Sequence, residues 1–157
     1  RQQNSPVYLV TYAQQLFALA EAAKIGWITG SDLQAGIYYN QAVTESIKQW
    51  TGADTGAAAF LLQPNVAYDP IDGLKKIGEQ RWVHLFLHGY EAWAEWRRTG
   101  FPTLTLPAGI NGGSMPRRDG YPTQERSNNT QNYNAAVAAF PYGGTDGLNT
   151  RVWWDKP

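Results

Sequence analysis

The sequence predicts an all-α fold: a tetratricopeptide-like helical hairpin plus a long helix, with an extended, ordered, Gly- and Pro-rich C-terminal wrap. Three observations lead there. Apolar residues recur at the 3.6-residue period in three segments before residue 100. Between Phe101 and Pro157 the texture changes to Gly, Pro and turn sequences such as Ser-Asn-Asn-Thr-Gln-Asn and Gly-Gly-Thr-Asp-Gly. That stretch still holds Phe101, Tyr121, Tyr133, Phe140, Tyr142, Trp153 and Trp154, which is apolar area enough to pack rather than stay disordered.

Thr11 and Gln14 have capping-box spacing, which places the first helix from Tyr12 to Lys24. Tyr12, Leu16, Leu19, Ala20 and Ala23 share its apolar face, and Gly26 is its stop. Ser31 reads as the cap of a second helix from Asp32 to about Trp50, with Gly36, Tyr39, Val43, Ile47 and Trp50 on one side. Asn40, Glu45 and Lys48 lie elsewhere on it. Ala35, Tyr39 and Ala42 repeat the small, aromatic, small spacing of the second helix of a tetratricopeptide repeat, which an ordinary antiparallel pair fits equally well. The cluster from Thr51 to Ala59 breaks the pattern, and Phe60 to Asn65 forms a short apolar link. Asp69 and Pro70 start the third and longest helix, which runs to Arg98 before Thr99, Gly100 and Pro102 end it. Beyond it only Thr130 to Ala139 reads as helix, and Asn128-Asn129-Thr130 is taken as an Asx cap leading it rather than a glycosylation sequon.

With 157 residues, 43% of them hydrophobic, one core suffices, so residues 1–157 are expected to form a single domain with a helical scaffold over 1–100 and a loop-rich wrap over 101–157. Thirteen basic and thirteen acidic residues cancel without a block of like charge, so no footprint for nucleic acid or an anionic membrane is present. The chain has no cysteine, which excludes disulfides and thiolate chemistry within it. No apolar run has transmembrane length. Because the sequence opens at Arg1 without an initiator Met or signal peptide, it is read as a portion of something longer.

Charge in the third helix concentrates in a stripe of Arg81, His84, His88, Glu91, Glu95 and Arg98, beside an apolar face of Leu74, Trp82, Leu85, Phe86, Gly89, Ala92, Trp93 and Trp96. Val83, Leu87, Tyr90 and Ala94 cover the flank, so the helix is expected to be buried nearly all round. His84 and His88, one turn apart with Glu91 beyond, have zinc-ligand spacing, but the HExxH arrangement is missing. A structural histidine pair partnering Glu91 and Glu95 is the favoured reading, and no metal or cofactor is assigned. Glu91 and Glu95 could also be the carboxylate pair of a glycosidase. Neutralisation by Arg81 and Arg98 in an ion network is preferred, so no catalytic residue is named.

Sugar rings stack their apolar faces on aromatic planes, and 13% aromatic content invites a carbohydrate reading. Trp82, Trp93 and Trp96 fall on the apolar face and are assigned to packing. Trp27, Trp50, Tyr68, Tyr142, Trp153 and Trp154 lie at helix ends or in loops, where binding groups concentrate. Trp50 and Tyr68, at the two ends of the loop after the second helix, are the ligand-binding candidates. Arg117 and Arg118 are expected to pair with Asp119 or Glu125 within a loop hugging the scaffold.

The ordered set PVYLVTYAQQLFALAEAAKIGW, YYNQAVTESIKQW, VAYD, EQRWVHLFLHGYEAWAEWRRTGFP, MPRRDGYPTQE and TRVWWDK resembles the C-terminal portion of SusD/RagB-type outer-membrane lipoproteins over nearly the whole chain. EAWAEWRRTGFP at Glu91 to Pro102 and VWWD at Val152 to Asp155 are the most specific elements. The resemblance implies a non-catalytic, surface-exposed nutrient-binding protein of Bacteroidetes-type bacteria that delivers oligosaccharides to a SusC-like TonB-dependent transporter. It implies a lipid anchor through a region upstream of these residues, and places the main ligand site largely in upstream segments too. The alternatives are a tetratricopeptide-like interaction module without a nutrient ligand and, behind it, a polysaccharide-cleaving enzyme.

Overall fold

The computed structural model describes residues 4, 6–107, 109–141 and 144–155. Among them are seven α-helices and no strand, the all-α class that the sequence predicts. Two compact units divide the chain, residues 1–95 and 96–157.

In the first unit, α1 (Tyr12–Lys24) and α2 (Ser31–Thr51) pack against each other as a hairpin. The predicted capping box is present: Thr11 Oγ1 accepts from Gln14 N–H at 3.2 Å, and Gln14 Oε1 accepts from Thr11 N–H at 2.8 Å. Gly26, at φ +79°, then turns the chain through a region closed to most side chains. The buried face of α1 is Ala13, Leu16, Phe17, Ala20 and Ala23, whereas Tyr12 is 61% exposed. Tyr12 lies about 80° round the helix from Ala20, at the edge of the stripe rather than on it. For α2 the N-cap is Gly30, at φ +133°, and no side chain caps the helix. Ser31 is its first residue instead, because the tight turn needs a backbone conformation that glycine alone enters freely.

A one-turn helix, α3 (Ala57–Leu61), occupies the segment expected to be irregular, and α4 (Gly73–His84) packs on both α1 and α2. The core joins Leu16, Phe17 and Ala20 to Tyr39, Ala42, Val43 and Ile77. Ala35, Tyr39 and Ala42 are completely buried, so the small, aromatic, small spacing sits where the helices meet. Tyr39 donates its hydroxyl to Val66 O at 2.6 Å and Lys76 Nζ donates to Pro64 O at 3.1 Å, which satisfies the loop backbone next to the core.

The long helix expected to reach Arg98 is two helices, α4 and α5 (Gly89–Thr99). Between them His88 N–H returns to Leu85 O at 2.8 Å and Leu87 adopts φ +68°. Periodicity measures angle, not continuity, and a short turn inside an apolar run leaves the spacing intact. Nor is the segment buried all round: Val83, Phe86, Leu87 and Tyr90 are exposed.

The second unit begins in the last turns of α5, passes a single 3-10 turn at Asn111–Gly113, and ends with α6 (Thr123–Asn128) and α7 (Thr130–Ala138). α7 falls where predicted, with Asn129 as N-cap, although its side chain makes no capping bond. Two buried carboxylates organise the irregular remainder. Asp155 accepts from Arg117 Nη1 at 2.6 and 2.7 Å and also pairs with Arg151. Asp146 accepts from Arg118 at 2.7 Å, Arg126 at 3.0 Å, Tyr121 N–H at 3.0 Å and the Tyr133 hydroxyl at 3.1 Å. The bond from Arg118, reinforced by the other three, holds the Asp146 carboxyl well below the usual carboxylate range. The arginines also stack: Arg117 over Trp96 at 4.8 Å, Arg118 over Phe140 at 4.6 Å, Arg97 over Trp154 at 4.5 Å. Arg117 and Arg118 are thus paired, but with Asp155 and Asp146 rather than Asp119 or Glu125, across sequence separations that local spacing does not register.

Candidate functional site

The charged stripe does not form one row. His84, only 2% exposed, is the centre of a buried network. Its Nε2 lies 2.7 Å from Thr11 Oγ1 and its Nδ1 2.9 Å from Ser46 Oγ, while Trp50 Nε1 donates to His84 O at 3.1 Å. One imidazole therefore ties the α1 cap, the middle of α2 and the end of α4. These partners replace the expected Glu91 and Glu95, because the break after His84 separates the histidine from the α5 carboxylates. Glu95 is buried with Arg81 Nε 3.6 Å from its Oε2, and Arg81 Nη1 is 3.5 Å from Glu21 Oε2. Glu91 is exposed. One carboxylate buried in an ion pair and one in solvent do not flank a common cleft, as glycoside hydrolysis requires. Among the described residues no group of three or more His, Cys, Asp or Glu is placed to hold a metal ion.

Burial, aided by the neighbouring His88 and Arg81, lowers the His84 pKa from 6.5 to about 4. A histidine depressed in the folded state is protonated more readily in the unfolded one. Its stabilisation is therefore complete above pH 6.5 and is lost as the pH falls toward 4. At about 1.36 kcal/mol per pH unit, the gap from 6.5 to 4 is worth about 3 kcal/mol. Denaturant titrations between pH 7 and pH 4 are expected to show that loss. His84→Gln, although less stable at pH 7, should lose the slope in this window, and an unchanged slope would assign it to other groups.

The candidates Trp50 and Tyr68 are both half-buried, and they do not converge. Trp50 packs against Tyr8, His84 and Phe86 at the end of α2. Tyr68 lies on Tyr39 with ring centroids 5.5 Å apart. It nests between two glycines: a Cβ at Gly36 would come within 3.0 Å of its ring, and one at Gly73 within 2.7 Å of its hydroxyl. From Tyr39 to Trp50 is eleven residues, about 16 Å along the helix axis. Burial first, and then the adjacent Asp32 carboxylate, push the Tyr68 phenol up to about 12. Of the other loop aromatics, Trp27 and Trp153 are exposed and Trp154 is half-buried under Arg97; Tyr142, like Lys156 of the closing motif, lies outside the described residues.

Two surface hollows in the first unit went unremarked in the sequence. One, of about 430 Å³, is lined by Trp82, Val83, Leu85, Phe86, Leu87, Gly89 and Ala92 at the α4–α5 turn and is almost entirely apolar. The other, of about 330 Å³, is lined by Tyr12, Asn40, Gln41, Thr44 and Glu45 on α1 and α2. The outward polar positions of α2 were legible from its period, but their meeting with Tyr12 depends on how the hairpin crosses. Among the described residues no helix is long and apolar enough to cross a membrane.

A family model described as starch-binding and associating with the outer membrane matches residues 1–122. The chain is similar to a solved SusD homologue from Bacteroides uniformis, at 30% identity and TM-score 0.77, covering 100% of this chain and 38% of that one. A chitin-binding protein is 35% identical with TM-score 0.76, over 94% of this chain and 33% of its own. A chitin-binding SusD homologue from Flavobacterium johnsoniae is 29% identical with TM-score 0.74, over 96% of this chain and 37% of its own. The chain thus spans roughly a third of the length of the solved proteins it matches. No curated protein matches it.

Proposed function

The chain belongs to the SusD-like family, and from that premise we propose that it captures glycans at the cell surface without cleaving them and delivers them to a SusC-like TonB-dependent transporter. The observation that carries this reading is the extent of the likeness. Nearly the whole chain, not one motif, follows the fold of two proteins described as chitin-binding. Starch- and chitin-derived oligosaccharides are accordingly the ligand classes to try first. The placement of Glu91 in solvent and Glu95 in an ion pair with Arg81 supports binding without hydrolysis. In this reading the protein sits on the outer-membrane surface, held by a lipid anchor in an N-terminal region, and its two compact units act as one domain. Trp50 and Tyr68 are the aromatic positions proposed first for ligand contact in the sequence; their packed surroundings make them secondary to more exposed rings.

Calorimetry with maltohexaose and chitohexaose, followed by an assay of the same mixtures for new reducing ends, tests the proposal. Heat of binding with at least one glycan and no release of reducing ends is expected. Turnover abolished in both Glu91→Gln and Glu95→Gln would overturn it. A second reading, a tetratricopeptide-like protein-interaction module, is favoured by the exposed apolar residues Trp27, Leu33, Val83 and Phe86. It predicts co-purification with a soluble protein and not with an outer-membrane transporter.

A further inference from the structure

We infer that the groove between Tyr12 and the outward face of α2 is a binding subsite for a neutral sugar. The inference rests on the glycan-binding reading above and gives it a location. Asn40, Gln41, Thr44 and Glu45 follow one another at helical spacing on α2, and the Tyr12 ring, 61% exposed, stands beside them. A pyranose ring has apolar C–H faces and a rim of hydroxyls, so a site for it needs an aromatic plane together with groups that both donate and accept. The groove supplies both. Among the described residues the amides of Asn40 and Gln41 and the Tyr12 hydroxyl make no hydrogen bond, leaving them available to a ligand. Thr44 donates its hydroxyl to Asn40 O at 2.9 Å, which leaves the lone pairs of Thr44 Oγ1 to accept.

The charges choose the class of sugar. Glu45 brings a carboxylate to the groove, with Lys48 Nζ 3.7 Å away as its partner on the neighbouring turn. An acidic sugar would place its own carboxylate near Glu45, and repulsion between like charges disfavours it. Neutral hexose or N-acetylhexosamine units meet no such penalty, and the Glu45 carboxylate accepts from their hydroxyls. At about 330 Å³ the groove is at the small end of ligand pockets, which suits a short stretch of sugar rather than a long chain. The larger hollow at the α4–α5 turn does not compete for this role. Its apolar lining would leave sugar hydroxyls desolvated and unpaired.

The test is a protein-observed NMR titration of the whole 157-residue chain with chitotriose, maltotriose and tri-galacturonate. Shifts are expected to centre on Tyr12, Asn40, Gln41 and Thr44, side-chain amides included, with a neutral trisaccharide and not with tri-galacturonate. Tyr12→Ala and the double variant Asn40→Ala with Gln41→Ala change exposed side chains on helices and should fold. Each is expected to weaken binding at least about tenfold, as loss of roughly 1.4 kcal/mol of contact would. Shifts centred elsewhere, or full affinity in both variants, would overturn the groove while leaving glycan binding in place. Tri-galacturonate binding as well as the neutral sugars would overturn the choice of ligand class. No shift with any of the three would overturn the groove and the glycan-binding reading for these residues together.

Discussion

Replacing Trp96 with alanine is expected to destabilise the protein by about 3–5 kcal/mol, the range for a large buried aromatic cut back to a methyl. The ring is 7% exposed and belongs to the second unit, where regular structure is sparse and few large side chains are buried. It is also the platform on which the Arg117 guanidinium lies, at 4.8 Å. Truncation therefore removes apolar burial and loosens the arginine that holds Asp155, so a value at the upper end of the range is the natural result. Denaturant titration followed by the remaining tryptophans measures it. A loss below about 1 kcal/mol, close to ordinary surface-substitution noise, would contradict the burial.

What the sequence made legible and what it hid divide along one physical line. Signals confined to a few consecutive residues were readable: the Thr11–Gln14 box, the bounds of α1, the glycine stop after it, α7, and the alternation of buried Tyr39 with outward Asn40 and Glu45 on α2. Trp96, assigned to packing from its sequence position, is buried as well. Features set by a turn in backbone dihedral space were not readable. Leu87 at φ +68° separates α4 from α5, yet neither its type nor its neighbours interrupt the apolar spacing. Likewise α3 is a single turn in an alanine cluster after Gly56 at φ +88°, too short for any period to emerge.

Long-range pairing was the least legible of all. His84 is buried and hydrogen-bonded, but its partners Thr11 and Ser46 stand 73 and 38 residues away, while Glu91 and Glu95 are nearer in sequence and plausible from spacing alone. The same holds for Arg117 and Arg118, whose acids arrive from the end of the chain. It holds again for the groove. Asn40 and Glu45 read as lying off the apolar side of α2, and only the packing of α1 on α2 sets an aromatic ring beside them. The segments that carry the family resemblance most specifically, EAWAEWRRTGFP and VWWD, contribute Trp96, Arg97, Trp154 and Asp155 to the ion and ring cluster of the second unit. Their named side chains are engaged in ring and ion contacts within the second unit, so neither segment locates a ligand.

That cluster yields the second large expected effect: Asp155→Ala should cost about 3–5 kcal/mol, the penalty for breaking a buried ion pair by removing one partner. The carboxylate has no exposed surface and is the shared acceptor of Arg117 and Arg151. Without it two partly buried guanidinium groups lose the carboxylate they share, and Arg117, stacked on Trp96, cannot swing out without giving up that contact as well. Asp155→Asn keeps the size and one acceptor oxygen while losing the charge, so its cost should lie between wild type and the alanine variant. Because both arginines donate to one acid, the losses should not add. In an Arg151→Ala background, the further step to Asp155→Ala should cost at least about 0.5 kcal/mol less than it does alone, the lower end of coupling between residues in one network. Additive costs across that double-mutant cycle, or an alanine variant as stable as wild type, would mean that Asp155 is a passenger in the cluster rather than its anchor.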